Sequence, residues 1–187
     1  MIIGITGTIG AGKGTVVEYL KSRHNFSHYS VRDVLIEGLN KRGMDLSRDS
    51  MVAIANELRE KNGAGYFMEV LLKKAIEGEG DAVIESVRTT GEIETLRAKA
   101  PDFYLLAVDA DPRVRYERIV KRNSSTDKIS YEKFLADEAR ESHHTEKWLI
   151  NLPVCISQAD FKLTDNDTFD DLHNQIDKIL MKLSFGH

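Results

Sequence analysis

Nine residues near the start of the chain have the types and the spacing of a phosphate-binding loop. The segment GTIGAGKGT covers residues 7–15 and matches the pattern G-x-x-x-x-G-K-[ST], with glycine in the Ser/Thr position. Glycines allow such a loop to curl until successive N–H groups converge on one point, and the lysine adds a full positive charge. The segment therefore predicts a site for a nucleoside triphosphate, ATP, with contacts from Gly7, Thr8, Gly10, Ala11, Gly12, Lys13, Gly14 and Thr15.

A degenerate dinucleotide-binding turn is an alternative interpretation of the same glycines. That turn requires the spacing G-x-G-x-x-G, whereas Gly10, Gly12 and Gly14 are spaced G-x-G-x-G and have a lysine between them. A glycine-rich turn without function is the remaining alternative. An apolar stretch before the segment and an apolar helical face after it favour the phosphate-binding loop.

Four arginines have positions suited to phosphoryl transfer. This chemistry depends on positioning and on neutralising phosphate charge, so we looked for cations that could converge on the loop. Arg88 follows the apolar stretch AVIESV, Arg118 and Arg122 lie four residues apart in ERIVKR, and Arg140 lies in DEARES. Each alone is typical of a solvated surface charge. Together with Lys13 they form the predicted catalytic set of cations.

Two carboxylates follow predicted strands and have two interpretations each. Asp33 is placed to act as a general base if the phosphate acceptor is a hydroxyl group, or it complements a helix N-terminus after Ser30. The same ambiguity applies to Glu85 at the end of the third predicted strand, which together with Thr15 would hold Mg²⁺ through water. The triphosphate implies Mg²⁺, because the ion bridges and neutralises phosphate oxygens.

Short β-rich stretches alternate with longer helical periods along the chain. Five predicted strands cover residues 2–6, 26–29, 82–85, 104–108 and 161–164. Helix starts are indicated by Ser30, by Thr89 with Glu92, by Asp111 before Pro112, and by Thr168. Such alternation predicts an α/β protein of the P-loop NTPase fold, with a central five-stranded parallel sheet and helices on both faces.

One connection is much longer than a crossover helix requires. Residues 31–80 predict three helices, broken near Gly43 and near residues 63–65. Extra helices at the carboxyl end of a parallel sheet lie where ligands bind in open α/β folds. We therefore expect a single kinase domain with a helical acceptor-binding insertion at 31–80 and a short lid at 123–146, where the polar stretch 123–130 suits a cover over the phosphates. The core then comprises residues 1–30, 81–122 and 154–187.

Composition narrows the classes of partner. The chain has 187 residues with 26 Lys or Arg and 30 Asp or Glu, a formal net charge of −4, which gives no indication of a nucleic-acid or membrane partner. Cys155 is the only cysteine, so no intrachain disulfide can form. We expect no signal peptide, a cytoplasmic location, a small-molecule partner, and a monomer or homodimer.

Several motifs resemble those of adenylate kinase and other nucleoside-monophosphate kinases. GTIGAGKGT is similar to their GxxGxGKGT loop, ERIVKR to the R-I-x-x-R stretch that enters their lid, and residues 86–89 to a proline-less form of their G-F-P-R-T acceptor motif. Residues 30–35 resemble their S-x-G-D-x-L segment. The whole chain, including SYEKFLADEARE at 130–141, is similar to an archaeal group of adenylate-kinase-related proteins.

The resemblance implies an ATP-dependent phosphotransferase that moves the γ-phosphoryl group of Mg-ATP to a nucleoside monophosphate, giving ADP and a nucleoside diphosphate. It also implies that Asn166, in the turn before the last helix, flanks the adenine of ATP. One departure concerns the acceptor: Ile36 stands where these kinases carry an arginine for the acceptor's phosphate, and Arg32, Arg42 or Arg48 would have to replace it.

Two other functions stay open from the sequence. A dephospho-coenzyme A kinase phosphorylates a ribose hydroxyl, and kinases of that type resemble this chain in having an aspartate near the position of Asp33. A P-loop ATPase or switch would act on a protein partner, but Gly14 replaces the Ser or Thr that such proteins place after the loop lysine. Arg88 favours an anionic acceptor, and hence a nucleotide.

Overall fold

Five parallel strands form one sheet in the computed structural model, which describes residues 1–122, 130–140, 142 and 144–184. The strands are β1 (Ile2–Thr6), β2 (Ser27–Ser30), β3 (Ala82–Glu85), β4 (Phe103–Asp109) and β5 (Phe161–Thr164). Their order across the sheet is β2-β3-β1-β4-β5, and every neighbouring pair is parallel. The predicted five-stranded parallel sheet is confirmed. Because the strands are parallel, their carboxyl ends meet at one edge of the sheet.

Nine helices connect and cover the strands in the described part of the chain. They are α1 (Lys13–His24), α2 (Val31–Arg42), α3 (Arg48–Asn62), α4 (Tyr66–Glu77), α5 (Thr90–Lys99), α6 (Pro112–Arg122), α7 (Tyr131–Arg140), α8 (Leu152–Ser157) and α9 (Phe169–Ser184). The predicted starts of α2, α5, α6 and α9 match these bounds. Ser30 accepts a hydrogen bond from the N–H of Arg32, and Thr89 forms a capping box with Glu92.

The two faces of the sheet have separate apolar layers. Successive side chains of a strand point to opposite faces, so Val83 and Ile84 of β3 enter different clusters. One cluster joins Ile84 to the helices α2, α3, α4, α5 and α8, and the other joins Val83 to α1 and α9. Helices therefore cover both faces, as predicted.

The long connection between β2 and β3 contains the three predicted helices, α2, α3 and α4. Gly43 ends α2 with a φ of 63°, and Gly63 ends α3 with a φ of 103°. Apolar residues of all three helices belong to the same cluster as β3. The insertion is thus packed directly on the core of the sheet and has no separate core of its own.

Two further sequence features have structural outcomes. Cys155 is buried, and its burial raises the pKa of the thiol to about 12, so the residue remains a protonated core thiol.

Among the described residues, no helix combines the length and the apolar character needed to cross a bilayer.

Candidate active site

The glycine-rich segment connects the central strand β1 to α1 at the carboxyl edge of the sheet. Gly7 has a φ of 138°, and a Cβ there would lie 2.1 Å from the carbonyl oxygen of Val108. Gly12 has a φ of 95°, and a Cβ there would lie 2.1 Å from Oδ2 of Asp165. Neither contact is tolerable, so the path of the loop requires glycine at both positions.

Lys13 lies inside the curve of this loop. Its Nζ donates hydrogen bonds to the carbonyl oxygens of Gly7 at 2.8 Å and Thr8 at 2.6 Å. The N-cap residue of α1 is Gly12, which has no side chain to cap the helix, and the first turn of α1 carries no acidic residue. The partial positive charge of the helix and the ammonium group of Lys13 therefore act on the same space, an arrangement that attracts phosphate.

Gly14 differs from the other glycines of the loop. It has a helical backbone and is exposed, and a Cβ there would meet no heavy atom within 4 Å. Packing therefore does not require glycine in the position where serine or threonine is usual. Thr15, the next residue, lines the cavity described below.

A cavity of about 630 Å³ extends from the loop toward α2 and α3. Its charged lining in the described part of the chain consists of seven cations and one carboxylate: Lys13, Arg32, Arg48, Arg59, Arg88, Arg118, Arg122 and Glu85. Its apolar walls include Leu35, Met51, Val52, Ala55 and Ile150. The cavity is therefore strongly cationic but has an apolar portion between α2 and α3.

Asp165 holds Arg118 at the loop end of the cavity. The two side chains form paired hydrogen bonds, Nη1 to Oδ2 at 2.8 Å and Nη2 to Oδ1 at 3.1 Å, and only 3% of the Asp165 side chain is exposed. Such a paired contact fixes the plane of the guanidinium group. Sequence reasoning did not select Asp165, although its position directly after β5 is a usable signal for a site residue.

Arg115 connects the loop region to α7 and was also missed. Its Nε donates to the carbonyl oxygen of Ala110 at 2.8 Å, and both terminal nitrogens donate to the carboxylate of Glu138. On the neighbouring residue of α7, Asp137 lies 3.9 Å from Nε of Arg48. Helix α7, within the predicted lid, thus contacts Arg48 of the cavity lining and Arg115 beside the loop. The predicted cover at 123–130 lies outside the described residues except for Ser130.

Glu85 lies at the end of β3 and forms a pair with His28, with 3.2 Å between Nε2 and Oε2. Burial by itself would raise the pKa of Glu85, but the hydrogen bond to His28 and the charges of His28, Lys13 and Arg88 outweigh it. The pKa is therefore below its ordinary value, and the group is ionised at neutral pH.

An ionised carboxylate and the hydroxyl of Thr15 line the same cavity as the loop. Oxygen atoms of this kind suit Mg²⁺, which takes one or two protein ligands and completes its shell with phosphate oxygens and water. The residues present therefore fit a Mg²⁺ ion bound together with a nucleotide.

The innermost wall contains a buried ion pair that sequence reasoning did not anticipate. Arg59 of α3 lines the cavity and bonds to Glu92 of α5, with Nη2 2.7 Å from Oε1. Glu92 was expected only as part of a helix cap. The sequence separation of 33 residues explains why no local pattern indicated the pair.

The structure brings most of the predicted site residues to this one cavity. Those that line it are Gly7, Gly10, Ala11, Gly12, Lys13, Gly14, Thr15, Glu85, Arg88, Arg118 and Arg122. Thr8 contributes its carbonyl oxygen to Lys13, and its hydroxyl donates to Asp109 at 3.2 Å.

Two of the predicted residues, Asp33 and Asn166, lie outside the cavity lining. Asp33 is exposed in the first turn of α2 and is not part of the cavity lining. It therefore has the position of a residue that complements a helix N-terminus. The side chain of Asn166 accepts a hydrogen bond from the N–H of Asp111 at 2.8 Å and also lies outside the lining. Arg140 ends α7, and its side chain lies outside the described part of the structure.

Comparison with solved structures shows the same fold in several proteins. TT1252 from Thermus thermophilus has a TM-score of 0.68 at 19% identity, over 98% of this chain and 97% of that one. A gluconokinase from Sinorhizobium meliloti has a TM-score of 0.58 at 13% identity, over 98% and 95%. A shikimate kinase from Acinetobacter baumannii, solved with shikimate, has a TM-score of 0.57 at 16% identity, over 97% and 93%. The fold is that of the P-loop kinases.

Comparison with known sequences identifies the family. A family described as "AAA domain" matches residues 3–147. A UPF0200 protein of Methanocaldococcus jannaschii is 31% identical over 186 residues, which are 98% of this chain and 90% of that protein. A UPF0200 protein of Pyrococcus abyssi is 30% identical over 193 residues and covers both chains completely. The chain, with its AAA domain of P-loop kinase-like fold, belongs to the UPF0200 family.

Proposed function

We propose that this protein transfers the γ-phosphoryl group of Mg-ATP to a nucleoside monophosphate, giving ADP and a nucleoside diphosphate. The observation that carries the proposal is the cavity itself. It begins at the phosphate-binding loop and continues between α2 and α3, and its described lining has six arginines and Lys13 against one carboxylate. Two phosphate-bearing molecules, placed end to end, match that excess of positive charge.

The donor end would hold the triphosphate of ATP. The N–H groups of the loop, the N-terminus of α1 and the Lys13 ammonium group would bind its phosphates, and Arg118 and Arg122 lie across the cavity on α6. Thr15 and Glu85 would hold Mg²⁺, which when bound supplies further neutralisation of the phosphate oxygens.

The acceptor's phosphate has candidate partners on the opposite side. Arg88 follows β3, and Arg32 and Arg48 belong to α2 and α3; all three line the cavity. Arg42, the third candidate to replace the arginine absent at Ile36, instead pairs with Glu57 on the surface at 2.7 Å. Arg32 and Arg48 are therefore the better candidates, and residues 31–80 would form the acceptor side of the domain.

A phosphate acceptor fits the arrangement of carboxylates better than a hydroxyl acceptor does. A hydroxyl group must lose its proton to a base, whereas a phosphate is already ionised at neutral pH. Of the described residues that line the cavity, Glu85 alone carries a carboxylate. This group is ionised and pairs with His28 at the donor end. Asp33 lies outside the lining. These placements support a monophosphate over the ribose hydroxyl of dephospho-coenzyme A.

In the proposed step, an oxygen of the acceptor's phosphate forms a bond to the γ-phosphorus, and the bond from that phosphorus to the β–γ bridging oxygen breaks. The electron pair of the broken bond leaves with ADP. Lys13 and the arginines would stabilise the charge on the equatorial oxygens of the transferred group. Helix α7, which contacts Arg115 and Arg48, would help to exclude water. The region 123–146 would then serve as the lid.

An acceptor screen tests the proposal. ADP release is measured with Mg-ATP alone, with each common nucleoside monophosphate, and with dephospho-coenzyme A, and the product is identified by mass. We expect slow hydrolysis alone and rapid release with a monophosphate, with a nucleoside diphosphate as the product. Stimulation by dephospho-coenzyme A alone would establish hydroxyl transfer instead. Stimulation by a protein, with every small acceptor inert, would establish a switch.

A further inference from the structure

Arg59 lines the cavity and carries a hydrogen-bond donor that the described residues leave unused. The residue is 1% exposed, and its Nε and Nη2 both bond to Oε1 of Glu92, at 2.9 and 2.7 Å. Its third nitrogen, Nη1, is buried and has no hydrogen-bond partner among the described residues. A buried donor without a partner is costly in free energy, so a ligand that supplies an acceptor there gains affinity.

The guanidinium group is held rigidly in this orientation. Glu92 is fully buried. Its other oxygen, Oε2, accepts hydrogen bonds from the backbone N–H groups of Arg88 at 2.8 Å and of Thr89 at 3.2 Å. The carboxylate is therefore fixed to the start of α5. The ring of Phe67 lies 4.8 Å from the Cζ of Arg59. With the Nε and Nη2 edge facing Glu92, Nη1 points to the opposite side of the fork.

The surroundings of Nη1 favour a neutral acceptor over a second anion. The charge of Arg59 is already balanced by Glu92 inside the protein, whereas Arg32 and Arg88 are more accessible to water and suit the acceptor's phosphate. The nearby apolar walls on α2 and α3 include Leu35 and Ala55. A flat apolar ring that carries a keto oxygen combines the two required properties.

We propose that Arg59, oriented by Glu92, donates a hydrogen bond from Nη1 to a keto oxygen of the acceptor's nucleobase and thereby determines base specificity. The inference rests on the proposed function. Guanine and uracil present keto oxygens, and guanine also offers N7 to an arginine. Adenine presents an amino group in the corresponding position, where its N–H would face the N–H of Arg59. The protein therefore prefers monophosphates of keto bases over adenosine monophosphate.

Two pairs of acceptors test the hydrogen bond in the wild-type protein. Inosine monophosphate is compared with purine riboside monophosphate, which lacks the keto oxygen at C6 and the proton on N1, and uridine monophosphate is compared with its 4-deoxy analogue, which lacks the keto oxygen at C4 and the proton on N3. The protein should prefer either purines or pyrimidines as the acceptor base. Within the preferred pair, we expect kcat/KM to be about 10- to 100-fold lower for the analogue without the keto oxygen, which is the range for a hydrogen bond to a charged donor. Equal values within both pairs would overturn the inference.

A double variant tests the assignment to Arg59. Arg59→Met with Glu92→Gln removes both buried charges, and the glutamine keeps an oxygen for the N–H groups of Arg88 and Thr89. We expect the ratio of kcat/KM for the keto acceptor to kcat/KM for its deoxy analogue to fall close to one. The KM for ATP should change little. The matched control is Arg42→Gln, a surface arginine paired with Glu57, which should retain the wild-type ratio.

The outcomes separate this inference from the proposed function. Phosphorylation of monophosphates with an unchanged keto preference in a folded double variant overturns the role of Arg59 and leaves the kinase intact. No phosphorylation of any monophosphate overturns both. A structural role alone would lower the rate for every acceptor equally and leave the ratio unchanged. If the double variant does not fold, as judged by circular dichroism, the acceptor pairs in the wild-type protein still test the hydrogen bond to the keto oxygen, and equal values within both pairs overturn the inference.

Discussion

The phosphate-binding loop at one end of the cavity is formed by nine consecutive residues, whereas the opposite end combines side chains from helices α2, α3 and α5. The Lys13 ammonium group contacts carbonyl oxygens only five and six residues away. Arg59 instead meets Glu92 across 33 residues. The first end is therefore a local structure that a short motif can specify, and the second exists only after the helices have packed.

The two ends also differ in how they handle charge. At the loop end, N–H groups, an ammonium group and the N-terminus of α1, whose N-cap residue is a glycine, converge on the cavity. At the other end, Arg59 is balanced by the fully buried carboxylate of Glu92. Asp165 balances Arg118 beside the loop in a similar way, but the Lys13 ammonium group donates to carbonyl oxygens. The difference suits a triphosphate at one end and a largely apolar base at the other.

Arg59→Met should have the largest effect on stability. It leaves the fully buried Glu92 carboxylate without its cation, which costs about 3–5 kcal/mol of unfolding free energy. Urea unfolding followed by circular dichroism measures the loss. The additional change Glu92→Gln should restore much of it. A single variant as stable as the wild-type protein would show that the pair does not organise the acceptor end.

Lys13→Ala should have the largest effect on turnover at the loop end. We expect a loss of about 10²- to 10³-fold in kcat, comparable to the loss of one preorganised transition-state donor, and an intact fold. The matched control is Lys21→Ala, an exposed lysine of α1 that pairs with Glu18. Steady-state ADP release and thermal unfolding measure both quantities. Activity within a few-fold of the wild-type value would remove Lys13 from the reaction.

Arg88→Ala should act on the acceptor more than on ATP. A lost hydrogen bond to a charged group corresponds to about 1.5–3 kcal/mol, so we expect the KM for the acceptor to rise about 10-fold or more. The KM for ATP should change far less. Arg42→Ala is the control, because this arginine lies on the surface outside the cavity lining. An unchanged acceptor KM would contradict the placement of Arg88 at the acceptor's phosphate.

Glu85 should give the protein a smaller, pH-dependent contribution to stability. Its pKa is lowered in the folded state, so the contribution is fully present above the ordinary pKa of a glutamate and is lost as the pH falls through the folded value. Unfolding free energies measured from neutral pH down through that acidic range should therefore decline more in the wild-type protein than in Glu85→Gln. Parallel curves for the two proteins would contradict the pairing with His28.

Gly14→Ser should have the smallest effect. The site is an exposed, helical position with open space around a Cβ, so serine should raise the unfolding free energy by about 0.5 kcal/mol or less. We expect acceptor-dependent turnover to remain within a few-fold of the wild-type value. A large loss of stability would show that the glycine is required by the loop after all.

Particular residues explain which predictions from sequence succeeded. The strand bounds at β1, β3 and β5 and the helix starts at Ser30 and Thr89 were predicted because apolar runs and capping residues act over a few neighbouring positions. Arg88 follows the end of β3, and Arg118 and Arg122 lie on α6, the helix that follows β4. These three predicted cations therefore line the cavity at the carboxyl edge of the sheet. Asp33 was placed at the mouth of the sheet by the same reasoning, yet its side chain is exposed outside the lining.

The glycine-rich loop, the alternation of strands and helices and hence the parallel sheet could be predicted from the sequence, because they depend on local backbone geometry and on apolar periodicity. The packing of the folded chain was needed to show that Glu92 holds Arg59, that Asp165 holds Arg118, and that Asp33 faces solvent. Each of these outcomes depends on the direction in which a side chain leaves its helix or strand and on the partner it meets there. That partner is supplied by packing between distant segments, which no local pattern encodes.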